Sequence, residues 1–445
     1  MRIPETPPPI DALLRDELTS AEALLELAQG LVSPPTGVPY PHWDKLRRLT
    51  PPEGWTTRRW WLAMKLQRTG SLRLTPLRAC DASPFVFSLP DPISERLHDI
   101  DLRAGGTISM PVQVTNPDLK DRYLVSSLIG EAATSSILEG AATTRRVAEE
   151  MIRAGRKPRD RSERMIFNNF ETMQRIGRLR DEPLTPEMVC DLHRRITRDT
   201  LDDPTMAGRF RRADQKIDVG NDVGQVVHVP PHADELAERM TRMCAFANGE
   251  TPQEFLHPVL RAIILHFWLA YDHPFVDGNG RTARALFYWS MLHSRYWLAE
   301  FISISEIILK GPSKYARAFL YTETDGNDLT YFLIYHLEVI RRALDQLHQF
   351  VERKTGELDA LDRKLRVMRL LNHRQQALIS HALRHPRADY TIEAHRMSHA
   401  VVYQTARADL LDLVRRRLLT KLKVGRTWHF RPADRLEEKL KGRRR

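Results

Sequence analysis

Cysteine and long apolar runs are the two features that this sequence has least of. Its three cysteines, Cys80, Cys190 and Cys244, lie far apart and form no CxxC pair. This odd, scattered set argues against a disulfide scaffold and predicts a reducing compartment, the cytoplasm. The sequence has no run of 18 or more apolar residues, which predicts that no segment spans a membrane. Its start, "MRIPETPPPI", lacks the basic and then apolar segments of a secretory signal.

Metal-site and hydrolase signatures are also missing. The HExxH string is absent, and His257, His266 and His273 are spaced nine and seven residues apart, so they form no helical i, i+4 pair. No Ser-His-Asp pattern stands out, and no repeat of fixed period is present. A structural metal site and a hydrolase are therefore disfavoured.

The composition is that of a soluble globular protein with a basic surplus. The 445 residues are 42% hydrophobic and 28% charged, and the length predicts two or three domains. The formal net charge of +11 favours anionic partners such as nucleotides, nucleic acid or acidic surfaces. The alternative is a general richness in arginine without a specific partner.

The periodic segments divide the chain into four regions and predict a mainly α fold. Residues 1–115 predict an irregular region with a helix in "TTRRWWLAMKLQR" and a strand in "FVFSLPDP". Residues 116–350 are mainly helical, and "HPVLRAIILHFWLAYDHPF" is apolar on nearly all sides, which predicts a buried helix. Residues 365–435 form a separate region, and residues 436–445 form a basic tail.

The region 365–435 resembles a winged helix-turn-helix domain. Three helical segments precede "LLTKLKVGRTWHFRP", which predicts a two-stranded wing with Gly425 at its turn. The inward stripe of the third helix is Ala406, Leu410, Leu413 and Val414, and its outward residues are Tyr403, Gln404, Arg407 and Arg415. We expect Met397, Trp428 and Phe430 in the core. This fold serves DNA binding and protein interaction alike, so both kinds of partner stay open.

The stretch "HPFVDGNGRTAR", residues 273–284, carries the strongest chemical pattern. A helix begins at residues 279–281, where free backbone N–H groups and the helix dipole favour an anion. Gly278 and Gly280 let the backbone approach that anion closely. Arg281 and Arg284 are three residues apart, and both guanidinium groups can hold phosphate oxygens. The stretch therefore predicts a phosphate-binding loop.

Two further residues of this stretch supply chemistry. His273 ends the preceding helix, and an imidazole suits the role of general base at neutral pH. Asp277 supplies a hard oxygen ligand of the kind that Mg²⁺ uses together with phosphates. The alternative is a tight turn with scattered charges, and the full combination argues against it.

The same string resembles the signature of Fic (Fido) proteins, HPFx(D/E)GNGRxxR, and matches it at every fixed position. The resemblance covers roughly residues 115–345. It implies a small helical domain with a β-hairpin flap. It also implies transfer of AMP from ATP, with Mg²⁺ or Mn²⁺, to a Tyr, Thr or Ser hydroxyl of a target protein.

The resemblance assigns a role to each residue of the loop. His273 is the base, Phe275 packs the loop into the core and Asp277 is the metal ligand. The nucleotide-binding residues are Gly278, Asn279, Gly280, Arg281 and Arg284, with Arg284 nearest the γ-phosphate. Glycine at position 280 favours nucleotidyl over phosphoryl transfer, because a phosphokinase-like branch of the family carries lysine there.

A β-hairpin is predicted ahead of the loop, since "KIDVG" and "QVVHV" are short β-type runs joined by a turn with Gly and Asn. The resemblance makes this hairpin the flap, which pairs with the target segment as an added strand. Its residues are Lys216, Ile217, Asp218, Val219, Val226, Val227 and His228.

The segment "SSILEG" resembles the inhibitory motif (S/T)xxxE(G/N) of the same family. Its residues Ser135, Glu139 and Gly140 fall in a helix that we expect at about residues 122–147. The resemblance implies that Glu139 pairs with Arg284 and so removes the γ-phosphate clamp. A carboxylate in an apolar helix also needs a partner. The alternative is a chance match within a helix.

Three functions remain at this point. The leading hypothesis is a protein adenylyltransferase that is autoinhibited by Glu139. The second is a DNA-binding regulator with a nucleotide-sensing Fic core, although the intact His273 argues for the enzyme. The third is AMP removal from a modified target, with Glu139 positioning water. The target and the oligomeric state, including a homodimer, stay open.

Overall fold

The computed structural model describes residues 2–17, 38–105, 117–215, 217–220, 224–386, 388–425 and 427–441. The chain divides into two compact units, residues 1–347 (unit 1) and residues 348–445 (unit 2). No helix in the described ranges has both the length and the apolar character that a membrane span needs.

Unit 1 is mainly helical, as predicted. Its helices are α1 (Ile10–Glu17), α2 (Trp43–Leu46), α3 (Thr57–Thr69), α4 (Asp91–Ile100), α5 (Pro117–Leu138), α6 (Arg145–Arg153), α7 (Arg161–Leu179), α8 (Pro186–Ile196), α9 (Leu236–Ala247), α10 (Pro258–Asp272), α11 (Asn279–His293), α12 (Ile304–Leu309), α13 (Pro312–Thr324) and α14 (Thr330–Arg369), whose later part belongs to unit 2. Two antiparallel pairs complete it, β1 (Arg73–Arg78) with β2 (Pro84–Phe87) and β3 (Val219–Gly220) with β4 (Val226–His228).

Capping residues explain where two predicted helices begin. The Thr56 hydroxyl accepts a hydrogen bond from the N–H of Arg59 (3.0 Å) at the start of α3. The Thr185 hydroxyl does the same for the N–H of Met188 (3.2 Å), and Pro186 occupies the first position of α8. These caps satisfy N–H groups that have no intrahelical acceptor. Helix α3 therefore begins where its sequence predicts, and α8 begins at a capped proline.

Helices α10 and α11 form the centre of unit 1. From Val259 to Asp272, every residue of α10 except Arg261 and Ala270 is buried, which confirms the predicted buried helix. Helix α11 buries nearly its whole length, including Phe287 and Trp289. The packing of these two helices fixes both ends of the loop that joins them.

The N-terminal region is linked to the rest of unit 1 by buried polar contacts. The Tyr40 hydroxyl donates to a carboxylate oxygen of Asp328 (2.6 Å). The Lys65 ammonium pairs with Asp325 at 2.9 Å. Both acids lie between α13 and α14, so these contacts hold the N-terminal helices against the end of α13.

The helix that we expected at residues 122–147 has different bounds. Helix α5 ends at Leu138, and α6 begins only at Arg145. Glu139 and Gly140 lie in the turn between them, where Gly140 has φ +89°. Gly140 adopts this left-handed conformation, which the helix cannot contain, and Thr144 caps the next helix. The single helix predicted through this point was therefore wrong.

Unit 2 has helices and a hairpin at the positions that the sequence predicts. They are α15 (His373–Arg384), α16 (Ile392–His399), α17 (Tyr403–Arg415) and α18 (Leu436–Lys441), with strands β5 (Tyr390–Thr391), β6 (Leu419–Val424) and β7 (Thr427–Pro432) in the antiparallel order β5–β7–β6. Ala406, Leu410, Leu413 and Phe430 are buried in its core. The winged-helix assignment itself stays a prediction.

Two residues that we expected in the core of unit 2 are exposed. Met397 is 71% exposed and Trp428 is 39% exposed. Trp428 lies near the end of the β6–β7 hairpin, where the ammonium groups of Lys421 and Lys423 lie 3.7 and 5.7 Å from its ring centroid. The core expectation was therefore wrong for both, because apolar character alone does not tell which side of a short element faces inward.

Candidate active site

The loop between α10 and α11 has a defined backbone. His273 ends α10 in the left-handed conformation, with φ 45°, and Gly278 precedes α11 with φ 84°. A Cβ at position 278 would lie 2.7 Å from a side-chain carbon of Thr197, so both the conformation and the space require glycine. The loop thus turns sharply and presents the first N–H groups of α11 at its end.

Asn279 braces this loop with its side chain. Its carbonyl oxygen accepts from the N–H of Phe275 (2.9 Å), and its amide donates to the Phe275 carbonyl (2.8 Å). Because the side chain is buried and engaged in this way, only the backbone N–H of Asn279 can serve the predicted anion site. Phe275 is itself fully buried, as the resemblance implied.

His193 of α8 holds the loop by a hydrogen bond to its backbone, a role that we did not predict. The N–H of Gly208 donates to its Nδ1 (2.9 Å), so its Nε2 carries the proton and donates to the Asp277 carbonyl (2.8 Å). Burial lowers the pKa of His193 to about 4, which keeps the ring neutral at pH 7. The available signal was its place on the apolar stripe of α8, beside Leu192 and Ile196.

Arg211 also holds the loop, and no local pattern marks it. Its Nε donates to the His273 carbonyl (2.9 Å), and its backbone N–H donates to the Pro274 carbonyl (2.8 Å). Its Nη2 donates to the carbonyl of Pro231, which follows β4. One side chain therefore connects the loop to the end of the hairpin.

His273 has the orientation of a base. Its Nδ1 lies 3.3 Å from the Ala270 carbonyl, so Nδ1 carries the proton and Nε2 keeps a free lone pair. Burial lowers the pKa of His273 to about 4. The ring is therefore unprotonated at neutral pH and ready to accept a proton.

The two arginines of the loop are buried cations near the helix N-terminus. Arg281 is fully buried, and its Nη2 lies 3.3 Å from Asp277. Its Nε and Nη1 have no hydrogen-bond acceptor among the described residues. A buried guanidinium whose N–H groups lack acceptors, next to the unpaired N–H groups of a helix start, is a suitable binding site for an anion.

Arg284 is held by the last turn of α5 and by the turn that follows this helix. Its Nε donates to the Ser135 hydroxyl (2.8 Å), and its Nη2 donates to the Ser135 carbonyl (3.0 Å) and to Oε1 of Glu139 (2.8 Å). Burial disfavours the charged form, but the Glu139 carboxylate outweighs it and raises the pKa of Arg284. A Cβ at position 280 would collide with this carboxylate, so Glu139 lies directly on the start of α11.

A second carboxylate, Glu131, attaches α5 to the centre of the unit. It accepts hydrogen bonds from the hydroxyls of Tyr288 (2.9 Å), Ser303 (2.8 Å) and Ser305, and from the N–H of Ser305 (3.1 Å). No Lys or Arg in the described ranges lies within ion-pair distance of it. These donors fix the position of α5 two turns before Glu139.

A cavity of about 250 Å³ is lined by part of these groups, namely Glu139, His273, Gly280 and Arg284. Its lining also includes Val227, His228, Tyr271, Tyr315 and Phe319. A base and a cation therefore share a cavity with aromatic surfaces. Such a wall suits a nucleobase, and the cationic end suits phosphates.

The predicted hairpin lies at the edge of this cavity. Its strands β3 and β4 pair Val219 with His228 and Gly220 with Val226. Ile217 is partly buried, Asp218 and Val226 are exposed and Val227 lines the cavity. Lys216 lies outside the described residues.

His228 fastens the hairpin to the helices. Its Nδ1 lies 2.7 Å from a Glu323 oxygen, and its Nε2 lies 2.7 Å from the Tyr271 carbonyl. Burial alone would lower the pKa of His228, but the Glu323 carboxylate outweighs it and raises the pKa. A protonated His228 can donate to both oxygens and so hold β4 in place.

Asp277 is the acid in the loop that can meet a metal. Its Oδ1 accepts from the N–H of Gly278 (2.5 Å), and its side chain is partly exposed. No group of three or more His, Cys, Asp or Glu side chains in the described ranges is arranged to hold a metal. Mg²⁺ often binds through one carboxylate and substrate phosphates, so Asp277 fits a metal that arrives with a nucleotide.

The fold and the loop together define a helical domain in which His273 lies near the start of α11. The Fic/DOC family matches residues 183–291. A Fic family protein from Desulfovibrio desulfuricans G20 has the same fold, with a TM-score of 0.52 and 18% identity over 80% of this chain and 98% of that chain. Residues 183–291 therefore form a Fic/DOC family domain, and the family resemblance is confirmed over these residues.

Two curated relatives match part of the chain. Protein adenylyltransferase Fic of Drosophila sechellia is 35% identical over 132 residues, which are 30% of this chain and 23% of that protein. Protein adenylyltransferase Fic of Drosophila virilis is 38% identical over 113 residues, 25% of this chain and 21% of that protein. The chain thus spans less than a quarter of the length of these relatives.

Proposed function

We propose that this protein transfers AMP from ATP to a hydroxyl side chain of a target protein. The observation that carries the proposal is the shared cavity, in which the free Nε2 side of His273, the start of α11 and Arg284 face aromatic side chains. The relatives named protein adenylyltransferase support the same reaction. The phosphokinase-like branch of the family carries lysine where this chain has Gly280, so the glycine favours nucleotidyl over phosphoryl transfer.

In this reaction His273 Nε2 takes the proton of the target hydroxyl. The hydroxyl oxygen then attacks the α-phosphorus, and the bond to the β-phosphate oxygen breaks, so that pyrophosphate leaves. The N–H groups at residues 279–281, with Arg281 and Arg284, stabilise the charge on the phosphates. Asp277 would hold Mg²⁺, which neutralises phosphate charge when it is bound.

We further propose that Glu139 inhibits this transfer. Its carboxylate occupies the Nη2 of Arg284 and lies against Gly280, where a γ-phosphate would bring like charge. An ATP molecule that enters must then adopt another position for its phosphates. Removal of the carboxylate frees the clamp without altering the base.

The test compares the parent protein with Glu139→Gly, using ATP labelled at either the α- or the γ-phosphate, in cell lysate. We expect the α-label to enter protein and the γ-label to leave, with Glu139→Gly well above the parent. Glu182→Gly is the matched control, because Glu182 is likewise an acid in a turn after a helix but is exposed and does not line the cavity. Incorporation of the γ-label that exceeds the level in lysate alone and rises with Glu139→Gly would show phosphoryl transfer instead.

AMP removal is the second candidate, since Glu139 lies within the same cavity as His273 and can orient a water. Protein labelled by Glu139→Gly is the substrate for this test. If the parent releases AMP from it and Glu139→Gly does not, removal is the main activity of the parent. If neither releases AMP, Glu139 acts as an inhibitor alone.

A further inference from the structure

The basic surplus of the chain lies entirely in unit 2. Residues 348–445 hold 24 Lys and Arg against 11 Asp and Glu, a formal net charge of +13. Residues 1–347 hold 44 against 46, a net charge of −2. The proposed adenylyl transfer uses a site in unit 1, so it does not account for the positive charge of unit 2. A field of this sign attracts a polyanion.

Helices α16 and α17 are joined by a short connection, as the predicted helix-turn-helix requires. Ala400, with φ 50°, ends α16, and residues 400–402 alone separate it from the first residue of α17. A connection of three or four residues is typical of this motif. Ala406, Leu410 and Leu413 face the core, which leaves the opposite side of α17 to solvent.

The exposed side of α17 carries groups that suit base recognition. Gln404, Arg407 and Ala408 are exposed in its first two turns. Arginine and glutamine side chains recognise guanine and adenine edges, and a small apolar side chain contacts the thymine methyl. No carboxylate in the described ranges pairs with Arg407, so its guanidinium is available.

Other arginines of unit 2 are already neutralised. Arg396 pairs with Glu393 at 2.5 Å, and Arg416 pairs with Asp412 at 2.7 Å. Arg435 lies 3.7 Å from Glu438. These paired arginines therefore differ from exposed cations that have no carboxylate partner in the described part of the chain, such as Arg407.

The β6–β7 hairpin adds two exposed lysines, Lys421 and Lys423, on the face of the sheet that packs against the helices. Lys421 lies opposite Phe430, and Lys423 lies opposite Trp428, so these side chains share one face of the sheet with Phe430. Phe430 packs in the core with Leu410 and Leu413 of α17. The exposed end of the hairpin therefore directs both lysines toward the side on which α17 lies.

We propose that unit 2 binds double-stranded DNA. The first turns of α17 would enter the major groove, and Lys421 and Lys423 would contact the phosphate backbone beside it. The charge of this surface favours DNA over a protein partner. The core of a protein interface is depleted of charge, whereas the exposed surface here carries Arg407, which has no carboxylate partner in the described residues, and two exposed lysines. This proposal does not depend on the proposed enzymatic activity.

The test measures binding of the full-length protein to a labelled random-sequence DNA duplex by fluorescence anisotropy. We expect non-specific dissociation constants of about 10⁻⁶ to 10⁻⁴ M near physiological salt, with affinity falling steeply as salt rises. The triple variant Arg407→Ala/Lys421→Ala/Lys423→Ala should weaken binding at least about tenfold and reduce the salt slope by about 2 to 3.

The matched control is Arg396→Ala/Arg416→Ala/Arg435→Ala, which removes the same formal charge from paired arginines. It should keep most of the affinity and nearly the full salt slope. An equal loss in both variants would mean general attraction to charge and would overturn the proposed face. Absence of duplex binding by the parent at low salt would overturn the proposal outright.

A second copy of the chain is the main rival occupant, because the exposed Met397 and Val402 border the same helices. Sedimentation of the parent without DNA tests it. A dimer that the first triple variant loses and the control keeps, together with no DNA binding, would assign the face to self-association. Thermal unfolding checks both variants, and the single exposed change Arg407→Gln replaces the triple variant if the latter does not fold.

Discussion

The imidazole of His193 lies flat against the phenyl ring of Phe275, with ring centroids 3.7 Å apart and planes 4° from parallel. This stack joins α8 to the loop that carries the proposed base, metal ligand and anion site. The ring must be neutral to accept from Gly208 while donating to the Asp277 carbonyl. The shape of the loop therefore depends on a histidine that contributes no chemistry to the reaction.

This dependence predicts acid sensitivity. Burial lowers the pKa of His193 to about 4 from the usual 6.5. The unfolded chain binds the proton more readily, so the stabilisation is present above pH 6.5 and is lost as the pH falls toward 4. At pH 5 this costs about 2 kcal/mol.

Thermal unfolding between about pH 7.5 and 5 measures it. His193→Phe should be less stable than the parent at pH 7.5 but should lose less on acidification. His98→Phe is the control, because His98 is exposed on α4, and it should follow the parent. Parallel curves for the parent and His193→Phe would contradict the assignment.

Loss of the base should remove transfer while ATP binding remains. His273→Ala in the Glu139→Gly background should lower labelling by about 10²–10⁴-fold, with ATP affinity changed little. Since position 273 has a positive φ, His273→Asn is the companion variant, because asparagine tolerates that conformation but is no base. Labelling by His273→Asn at the rate of Glu139→Gly would remove His273 from the mechanism.

The proposed metal ligand can be tested by chelation and by substitution. EDTA should abolish labelling by Glu139→Gly protein, and Asp277→Ala should reproduce that loss when metal is present. Asp277→Asn keeps the acceptor for the N–H of Gly278, so it separates metal binding from loop shape. Two outcomes would show that Asp277 has another role. One is full labelling by Glu139→Gly protein in EDTA, and the other is full labelling by the Asp277→Asn variant that does not depend on metal.

Arg284 should be needed for the activation that Glu139→Gly causes. If the ion pair biases the cavity by about 3 kcal/mol, its removal raises productive ATP binding roughly 10²-fold. The double variant Glu139→Gly/Arg284→Ala loses the clamp as well, so its labelling should stay at the parent level. Glu139→Gly/Arg153→Ala, with an exposed arginine on α6, should stay active. Equal activity in both double variants would mean that Arg284 does not hold phosphate.

Residues from 370 onward should be dispensable for the reaction. The candidate site is built from residues of unit 1 alone. Removal of residues 370–445 from the Glu139→Gly protein should leave self-labelling within a few-fold of the longer chain. Loss of folding on truncation, seen by circular dichroism, would place this segment within the catalytic unit.

Local patterns were sufficient for much of this molecule. The helix at Thr57–Thr69, the buried α10 and the hairpin β3–β4 each depend on periodicity, caps or turn residues that are close in sequence. The loop residues His273 and Arg284 were found because their chemistry is concentrated within twelve positions. Their roles remain predictions, whereas their convergence on one cavity is a property of the structure.

Contacts between distant segments were beyond the sequence. Arg211 lies in a run of basic residues, and nothing nearby indicates that it would join the loop to the hairpin. Glu131 offered a partial signal, as an acid in an apolar helix, but its donors lie more than 150 residues away. The break after Leu138 was missed because a helical pattern does not show which residue will adopt a positive φ.

The attachment of α5 through Glu131 has a consequence for how the protein would respond to a signal. One buried carboxylate receives four donors from two hydroxyl-bearing segments and a backbone amide. A small displacement of α5 would break the hydrogen bonds of Glu131 while water is still excluded, so the carboxylate and its donors would be left without partners. Full release would instead hydrate all of these groups. We therefore expect a partial displacement of α5 to cost more free energy than its full release. On that expectation, α5 would respond to a signal cooperatively rather than gradually.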